Sequence, residues 1–303
     1  MKTKRTKTHR PKAINPKGFK DYSEVEANER SKMLKLVCEI YFAYGFEFLE
    51  TPAVETVEAL GSFLPDKDRP NAGVFSWLDE DQTWLALRYD LTAPLARFYA
   101  QNRNRLAAPY RRYAMGPVWR NEKPGLGRYK QFYQCDADTV GTSSPAADAE
   151  ICMMLSDILD HLGISSNNFQ IKLNNRKILD GVLEQIGLYG EQNDGVTTDK
   201  KGIVLRAIDK LDRLGLSGVT QLLGQGREDE SGDFAPGAEL SQMQVSVITD
   251  FLTSLESTAA KTFTKQRESV GGSQVGMEGI NELENIYELC LAGGISESKI
   301  AVD

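Results

Sequence analysis

The stretch YAMGPVWRNEKPGLGRYKQFYQCDADTVG, from Tyr113 to Gly141, carries more information about the fold than any other part of the chain. Polar and apolar residues alternate near its two ends, which predicts two strands, and Gly125 and Gly127 in the centre predict a loop. Arginines and a glutamate crowd this loop, and amide and acidic side chains follow it at alternate positions. The stretch therefore predicts a hairpin with many polar groups on adjoining strands.

Alternate residues of a strand point to the same face, so these polar groups can be assigned to faces. On the first strand, one face carries Arg112, Ala114, Gly116, Val118 and Arg120, and Glu122 continues the alternation into the loop. On the second strand, one face carries Phe132, Gln134, Asp136 and Asp138. Two interpretations are open: the solvated face of an ordinary half-buried hairpin, or a sheet surface that binds a polar ligand.

Two observations favour a ligand. The small residues Ala114 and Gly116 leave space beside Arg120, as a ligand lying on a sheet requires. The loop NEKPGLGR spreads an acid, two basic residues and two glycines over eight residues. Arginine binds phosphate through a planar two-pronged donor, and carboxylates beside it can bind amino groups. The hairpin therefore predicts a site for a zwitterionic or nucleotide ligand, without the spacing of a P-loop or a G-x-G-x-x-G motif.

Composition argues against several classes of protein. The 303 residues are 26% charged and 41% hydrophobic, with a net charge of -7, so overall charge does not indicate a nucleic-acid partner. The four cysteines are far apart and there are only two histidines, which argues against a zinc site, a disulfide framework or histidine-based catalysis. The sequence has neither an apolar run long enough to span a membrane nor an apolar signal core. We expect a cytoplasmic protein with reduced thiols.

The chain divides into four predicted segments. Residues 1–12 hold six basic residues and no acid, which predicts a flexible tail or an arm that touches nucleic-acid phosphate. Residues 13–175 are rich in predicted strands and residues 176–293 are mostly helical. Residues 294–303 begin a strand again.

Local patterns predict particular elements within these segments. Apolar residues at spacings of three and four, from Met33 to Tyr44, predict an amphipathic helix that ends at Gly45. The sequences FQIKLNN and KIAVD predict strands. One further helix, ending at Gly215, is predicted from Leu205, Ile208, Leu211 and Leu214.

Several motifs resemble those of the histidyl-tRNA synthetase family, which belongs to the class II aminoacyl-tRNA synthetases. WRNEKPGLGRYKQFYQCDAD resembles motif 2, with its arginine-x-acid signature at Arg120 and Glu122, and FLETPAVE resembles motif 1, with Pro52 as its proline. LRYDLTAPLARF resembles the family's histidine-site segment, and PKGFKDY resembles its first segment. KLNNRKILDGVLEQIG and RAIDKLDRLG resemble the approach to its helical insertion. The resemblance runs from Asn15 to Asp303.

The resemblance implies an α+β fold, the antiparallel sheet of class II synthetases flanked by helices, with a helical insertion. Residues 13–175 would then be the catalytic core, residues 176–293 the insertion and residues 294–303 the return to the core.

The resemblance also implies a role for individual residues. Arg120 would be the catalytic residue and would hold the α-phosphate of ATP and the carboxylate of histidine. Glu122 would bind the adenine amino group and Arg128 would help to bind the nucleotide. The histidine site would contain Asp90, Leu91, Thr92, Arg120, Gln134 and Asp138. Asp138 would face the α-amino group.

The reaction implied by the resemblance has two steps, activation of L-histidine by ATP and transfer of the histidyl group to tRNA(His). Mg²⁺ would be held mainly by the phosphates of ATP, and no protein metal site is implied. Polar recognition of the imidazole can reject other amino acids strongly, so no editing domain is expected. The implied partners are L-histidine, ATP, tRNA(His) and a second copy of the chain, bound through Phe48 to Glu55. No membrane partner is implied.

Part of the family's pattern has no counterpart in this sequence. An arginine-glycine-leucine-x-tyrosine-tyrosine segment, motif 3 and the anticodon-binding domain are missing, so we expect a truncated form that is inactive or weakly active. Two other functions stay open: a synthetase-like regulatory subunit of ATP phosphoribosyltransferase, and a non-catalytic nucleic-acid-binding or scaffold protein. The regulatory subunit tends to lose the catalytic signature, which is intact here at Arg120, Glu122, Gln134 and Asp138.

Overall fold

A computed structural model of the protein describes residues 12–61, 73–188, 195–228, 232–255 and 258–303. The basic tail predicted for residues 1–12 lies outside this part of the chain except for Lys12. The chain divides into two compact units, with the boundary between Ser143 and Ser144. Each unit contains an apolar cluster of its own.

The described elements of the first unit are, in chain order, α1 (Glu24–Ala43), β1 (Glu47–Phe48), β2 (Val54–Thr56), α2 (Val57–Leu60), β3 (Ser76–Leu78), β4 (Trp84–Leu87), α3 (Thr92–Asn102), β5 (Tyr110–Trp119) and β6 (Gln131–Val140). Helix α1 ends where the sequence predicted. Gly45 follows its last residues with φ 80°, a left-handed conformation that glycine adopts without steric cost. The buried face of α1 lies against β6, where the Tyr41 hydroxyl donates to the carbonyl of Cys135 at 3.0 Å.

The predicted hairpin is confirmed and forms two strands of a three-stranded sheet with strand order β1-β5-β6. Strands β5 and β6 are antiparallel over ten residue pairs, from Tyr110↔Val140 to Trp119↔Gln131. Directly opposite residues of an antiparallel pair lie on the same face. The polar groups predicted to share a face are therefore paired across the strands, as Arg112↔Asp138, Ala114↔Asp136 and Gly116↔Gln134. A second sheet in this unit has the order β2-β4-β3.

The described elements of the second unit are α4 (Pro145–His161), β7 (Ile171–Leu173), α5 (Arg176–Gln185), α6 (Gly195–Ile208), α7 (Leu211–Leu223), β8 (Gly226–Glu228), β9 (Phe234–Pro236), α8 (Gln242–Leu252), α9 (Ala259–Val270), α10 (Gln274–Ala292), a 3-10 turn (Glu297–Lys299) and β10 (Ile300–Val302). Strands β7 and β10, both predicted, pair in parallel. Helix α10 packs against α4, α5 and α9. Its fully buried Ile280 and Leu283 join an extended apolar cluster with Val182 and Leu183 of α5.

Helices α5 and α10 cross with almost no space between their backbones. A Cβ atom added to Gly181 of α5 would lie 2.5 Å from the Cα atom of Gly276 in α10. A Cβ atom added to Gly276 would lie 3.1 Å from the Cα of Gly181 and 2.7 Å from the Cβ of Val270. Only glycine allows this close an approach of two backbones.

The compact units do not divide where the composition changes. The sequence predicted a boundary after residue 175, whereas α4 and β7 belong to the second unit. The reason is tertiary pairing, because α4 packs against α10 and β7 pairs with β10. The assignment of residues 13–175 to a catalytic core and of residues 176–293 to an insertion stays a prediction.

The helix predicted from Leu205 to Leu214 is interrupted, whereas its predicted end at Gly215 agrees with the non-helical backbone of this residue. The chain breaks earlier, between the end of α6 at Ile208 and the start of α7 at Leu211. Gly215 lies inside the range of α7 with φ 65°, at a kink. The apolar spacing of three continues from Ile208 to Leu211 across the break, so periodicity alone could not reveal it.

Within the residues that the structure describes, no helix is both long enough and apolar enough to cross a membrane.

Candidate active site

Arg120 lies just beyond the end of β5, where two aromatic rings and the neighbouring strand hold it. Its guanidinium carbon is 4.3 Å from the centroid of the Tyr89 ring and 5.1 Å from that of Phe132. Its Nε lies 3.4 Å from the Tyr89 carbonyl oxygen, to which it donates, and its backbone N–H donates to the Lys130 carbonyl at 2.9 Å. Stacking on aromatic faces orients a guanidinium without using its outer N–H groups. Arg120 is therefore placed to receive an anion.

The loop between β5 and β6 carries Glu122 and Arg128, and both are exposed. The Tyr89 hydroxyl donates to the Glu122 carboxylate at 3.4 Å, so the same tyrosine contacts both Arg120 and Glu122. Arg128 closes a tight turn with Gly125, in which each backbone N–H donates to the other's carbonyl, at 3.1 and 3.2 Å. The turn requires the left-handed conformation of Gly127, with φ 71°. The structure thus links Glu122 to Arg120 and places Arg128 at the exposed turn.

Asp90 and Leu91 form the turn that leads into α3, and Thr92 is the first residue of this helix. The Asp90 carboxylate accepts a hydrogen bond from the Ala93 N–H at 2.9 Å, which satisfies one of the unpaired donors at the start of this helix. Leu91 is 2% exposed and packs with Ala114 and other apolar residues of the β5–β6 hairpin. Thr92 is exposed. The structure therefore joins this predicted histidine-site segment to the hairpin.

Gln134 and Asp138 are half-buried on the same face of β6. Among the described residues the buried Oε1 of Gln134 has no hydrogen-bond partner, and an unpaired buried acceptor carries a cost unless a ligand satisfies it. Burial raises the pKa of the Asp138 carboxyl above its usual value, and the nearby Arg112 opposes this shift. Both side chains are placed to bind the polar groups of a small ligand.

The sequence did not identify Arg112 as a site residue, although it is fully buried beside Asp138. Its Nη2 lies 2.8 Å from the Asp138 Oδ2 atom, an ion pair, and donates to the Leu91 carbonyl at 2.9 Å. Burial lowers the pKa of its guanidinium, and the carboxylates of Asp138 and Asp136 oppose this. The sequence analysis placed both Arg112 and Asp138 on polar strand faces. Antiparallel pairing of the two strands sets these residues directly opposite each other, and this pairing was the signal that could have identified Arg112.

Arg88 occupies the space that the sequence assigned to a ligand. A Cβ atom on Gly116 would lie 2.3 Å from the Nη2 of Arg88, so this glycine makes room for a protein side chain. Arg88 is 6% exposed, and it donates from Nε to the Pro117 carbonyl and from Nη1 to the Thr51 carbonyl, both at 2.9 Å. The expectation that Gly116 leaves space for a ligand is therefore wrong.

Comparison with known proteins decides the family. A family model described as Histidyl-tRNA synthetase matches residues 18–290. This chain belongs to the histidyl-tRNA synthetase family. The resemblance inferred from motif 2 and the histidine-site segment is thereby confirmed.

Curated synthetase relatives cover almost the whole chain. The histidine–tRNA ligase of Cereibacter sphaeroides is 58% identical over 98% of this chain, and that of Roseobacter denitrificans is 56% identical over 98%. The matches cover 60% and 61% of those two relatives. The chain therefore spans about three fifths of the length of the synthetases it resembles.

Solved structures confirm the predicted fold class of a mixed, class II synthetase fold. The histidyl-tRNA synthetase from Nostoc sp. PCC 7120 aligns with a TM-score of 0.77 and 25% identity, over 97% of this chain and 61% of its own. A Bacillus halodurans protein, titled an ATP phosphoribosyltransferase regulatory subunit/histidyl-tRNA synthetase, aligns with a TM-score of 0.75 over 97% of this chain and 69% of its own. Its identity of 20% shows the fold alone.

Proposed function

We propose that this protein activates L-histidine with ATP and transfers the histidyl group to tRNA(His). The observation that carries the proposal is the β5–β6 hairpin, which places Arg120 at its end and Gln134 and Asp138 on one face. The curated relatives named above are called histidine–tRNA ligases, which favours this function over a phosphoribosyltransferase regulatory subunit or a scaffold protein. Because ATP and tRNA are its substrates, we place the protein in the cytoplasm.

In the first step a carboxylate oxygen of histidine attacks the α-phosphorus of ATP. A new P–O bond forms, the bond to the β-phosphate bridging oxygen breaks, and pyrophosphate leaves with the bonding electrons. Negative charge accumulates at the α-phosphate while two anionic groups approach each other. Arg120 would counter this charge with a guanidinium already oriented by Tyr89 and Phe132, so little reorganisation is needed during the reaction.

The histidine would be recognised on the sheet face of the hairpin. The Asp138 carboxylate would accept a hydrogen bond from the α-ammonium group of histidine, since ionised carboxylates pair well with cations. The unpaired Gln134 Oε1 would accept a hydrogen bond from the ligand. Asp90, Leu91 and Thr92 would line the other side of the pocket, where Leu91 fixes the segment to the hairpin.

ATP would lie along the loop side of the hairpin. The Glu122 carboxylate would accept a hydrogen bond from the adenine amino group, and Arg128 at the exposed turn would contact the phosphates of ATP. Mg²⁺ would enter with ATP as part of the substrate. Mg²⁺ is commonly held through substrate phosphates, so the proposal needs no metal site on the protein. In the second step the terminal ribose of tRNA(His) would take the histidyl group.

Histidine-dependent exchange of pyrophosphate into ATP tests this function. We expect pyrophosphate exchange only when histidine is supplied. Reactions with other amino acids serve as the control. Exchange that does not depend on histidine would contradict the proposed function.

We further propose that two copies of the protein associate through Phe48 to Glu55. Among the strands that the structure describes, β1 lies at the edge of its sheet, and Phe48 on this strand is 56% exposed. The neighbouring Glu55 is buried against Arg97 of its own chain, with N–O distances of 2.7 Å. A partner would therefore contact the side chain of Phe48 and the edge of strand β1.

Light scattering at micromolar concentration is expected to give the mass of a dimer. The Phe48→Glu variant should raise the dissociation constant by about 100-fold or more, because burial of one phenylalanine contributes about 1.5–3 kcal/mol and a two-fold interface buries it twice. Phe42→Glu is the matched control, since Phe42 is exposed on α1. A monomeric wild type, or equal effects of both variants, would count against this interface.

A further inference from the structure

We propose that Arg112 is a positioning residue of the histidine pocket, which holds the Asp138 carboxylate and the Asp90–Thr92 segment in the arrangement that binds the amino acid. This inference rests on the proposed function. Arg112 itself would touch neither histidine nor ATP. It would act through the Asp138 carboxylate and the Asp90–Thr92 segment, which would contact histidine.

One atom of Arg112 joins the two sides of the pocket. Its Nη2 contacts Asp138 of β6 at 2.8 Å and the carbonyl of Leu91, ahead of α3, at 2.9 Å. Arg112 itself lies on β5, directly opposite Asp138. The planar guanidinium has few ways to make both contacts at once, so it fixes the carboxylate relative to the turn.

The environment of Arg112 is unfavourable for a residue that serves stability alone. Its side chain is 0% exposed, and among the described residues its Nε and Nη1 atoms have no hydrogen-bond partner. Burying a charge and unpaired N–H groups costs free energy, and apolar residues of similar volume commonly replace buried ion pairs without loss of stability. The charge of Arg112 therefore requires another explanation, and its contacts with two predicted histidine-site segments provide one.

The charge of Arg112 acts on a cluster of carboxylates. Burial raises the pKa of Asp138 and of Asp136, and Arg112 opposes the shift in both cases. Without this cation, the repulsion among the carboxylates of Asp138, Asp136 and Asp90 would be uncompensated, and the pKa of Asp138 would rise further. The titratable or charged groups that face this cluster, from α1, β5, β6 and the turn before α3, are Tyr41, Tyr110, Asp136, Arg120 and Asp90.

The sign of the pH dependence follows from these shifts. Histidine binding requires ionised Asp138, so affinity falls as the pH drops through the pKa of this carboxyl. Removal of Arg112 raises that pKa further, so the loss of affinity should begin at a higher pH in the variant. The imidazole and amino groups of free histidine titrate equally whether wild type or variant is measured. The difference between the affinity–pH profiles of wild type and variant therefore reports on the protein.

The test compares three variants of the protein. Arg112→Met removes the charge and keeps much of the volume, and Arg112→Lys keeps the charge without the planar fork. Arg111→Met is the matched control, because Arg111 is the next residue of β5 and points to the other face, where it donates to the Tyr44 carbonyl at 2.7 Å. Pyrophosphate exchange gives the KM for histidine and for ATP, calorimetry gives direct histidine binding, and circular dichroism checks folding.

We expect Arg112→Met to raise the histidine KM by about 10- to 100-fold, the effect of losing a charge-assisted contact. The ATP KM should stay within about twofold of the wild-type value. The loss of histidine affinity at acid pH should begin at a higher pH than in the wild type. Arg112→Lys should give an intermediate histidine KM, and it decides the question if Arg112→Met does not fold. A purely structural role would change folding without separating the two KM values. Unchanged histidine affinity in a folded variant, or equal changes in both KM values, would overturn the proposal. Failure of the wild type to bind histidine would instead overturn the proposed function.

Discussion

Replacement of Arg120 by alanine should lower the rate of histidine-dependent pyrophosphate exchange by about 100- to 1,000-fold, the usual effect of removing one preorganised group that stabilises developing charge. Arg120 is expected to act on the transition state, because charge accumulates at the α-phosphate as the carboxylate attacks. The loss should therefore lie mainly in kcat, with smaller changes in both KM values. The measurement is steady-state, histidine-dependent pyrophosphate exchange by the wild type and the variant.

Two further variants separate charge from geometry. Arg120→Lys keeps a cation but loses the planar donor pair and much of the stacking between Tyr89 and Phe132, so a rate between those of wild type and Arg120→Ala is expected. Arg105→Ala replaces an exposed arginine outside the site and should leave the rate unchanged. If Arg120→Ala retained a kcat within threefold of wild type, the catalytic role of Arg120 would be wrong.

The second large effect is expected at the crossing of α5 and α10. Gly181→Val should lower the free energy of unfolding by about 3 kcal/mol, the upper end of typical overpacking costs. The physical reason is the 2.5 Å separation between an added Cβ and the Cα of Gly276, because backbone atoms cannot rotate away as a side chain can. Either the two helices move apart, which exposes part of the core around Ile280 and Leu283, or α5 bends.

Gly272→Val is the matched control for this substitution. An added Cβ at Gly272 has no atom within 4 Å, so its cost should stay within about 0.5 kcal/mol, as for most exposed positions. Denaturant unfolding of both variants gives the comparison directly. Equal stability of Gly181→Val and Gly272→Val would show that the helices separate without cost, and the close crossing would not be a stabilising feature.

The sequence predicted the β5–β6 hairpin well because two-residue periodicity is a local property. Once each strand was recognised, the alternation placed Arg112 and Asp138 on faces that the antiparallel register then brought together. The end of α1 at Gly45 was predictable for a similar reason, since one glycine in a left-handed conformation ends the helix.

Features that depend on distant parts of the chain were not predictable. Nothing in the residues around Gly116 shows that the guanidinium of Arg88 lies against it. The division between Ser143 and Ser144 follows from the packing of α4 on α10, which no local pattern contains. Leu91 shows both effects: its place in the predicted histidine-site segment was evident from the sequence, whereas the hydrogen bond from Arg112 to its carbonyl required the structure.

The β5–β6 hairpin also has a consequence for the folding of the chain. Residues of its paired strands are at most 30 positions apart, from Tyr110 to Val140, and the contact of Arg112 with Leu91 spans 21 positions. Short loops close at a small entropic cost, and low contact order favours rapid folding. The proposed histidine-binding surface can therefore assemble from a single continuous segment of the first unit, without waiting for contacts with distant parts of the chain.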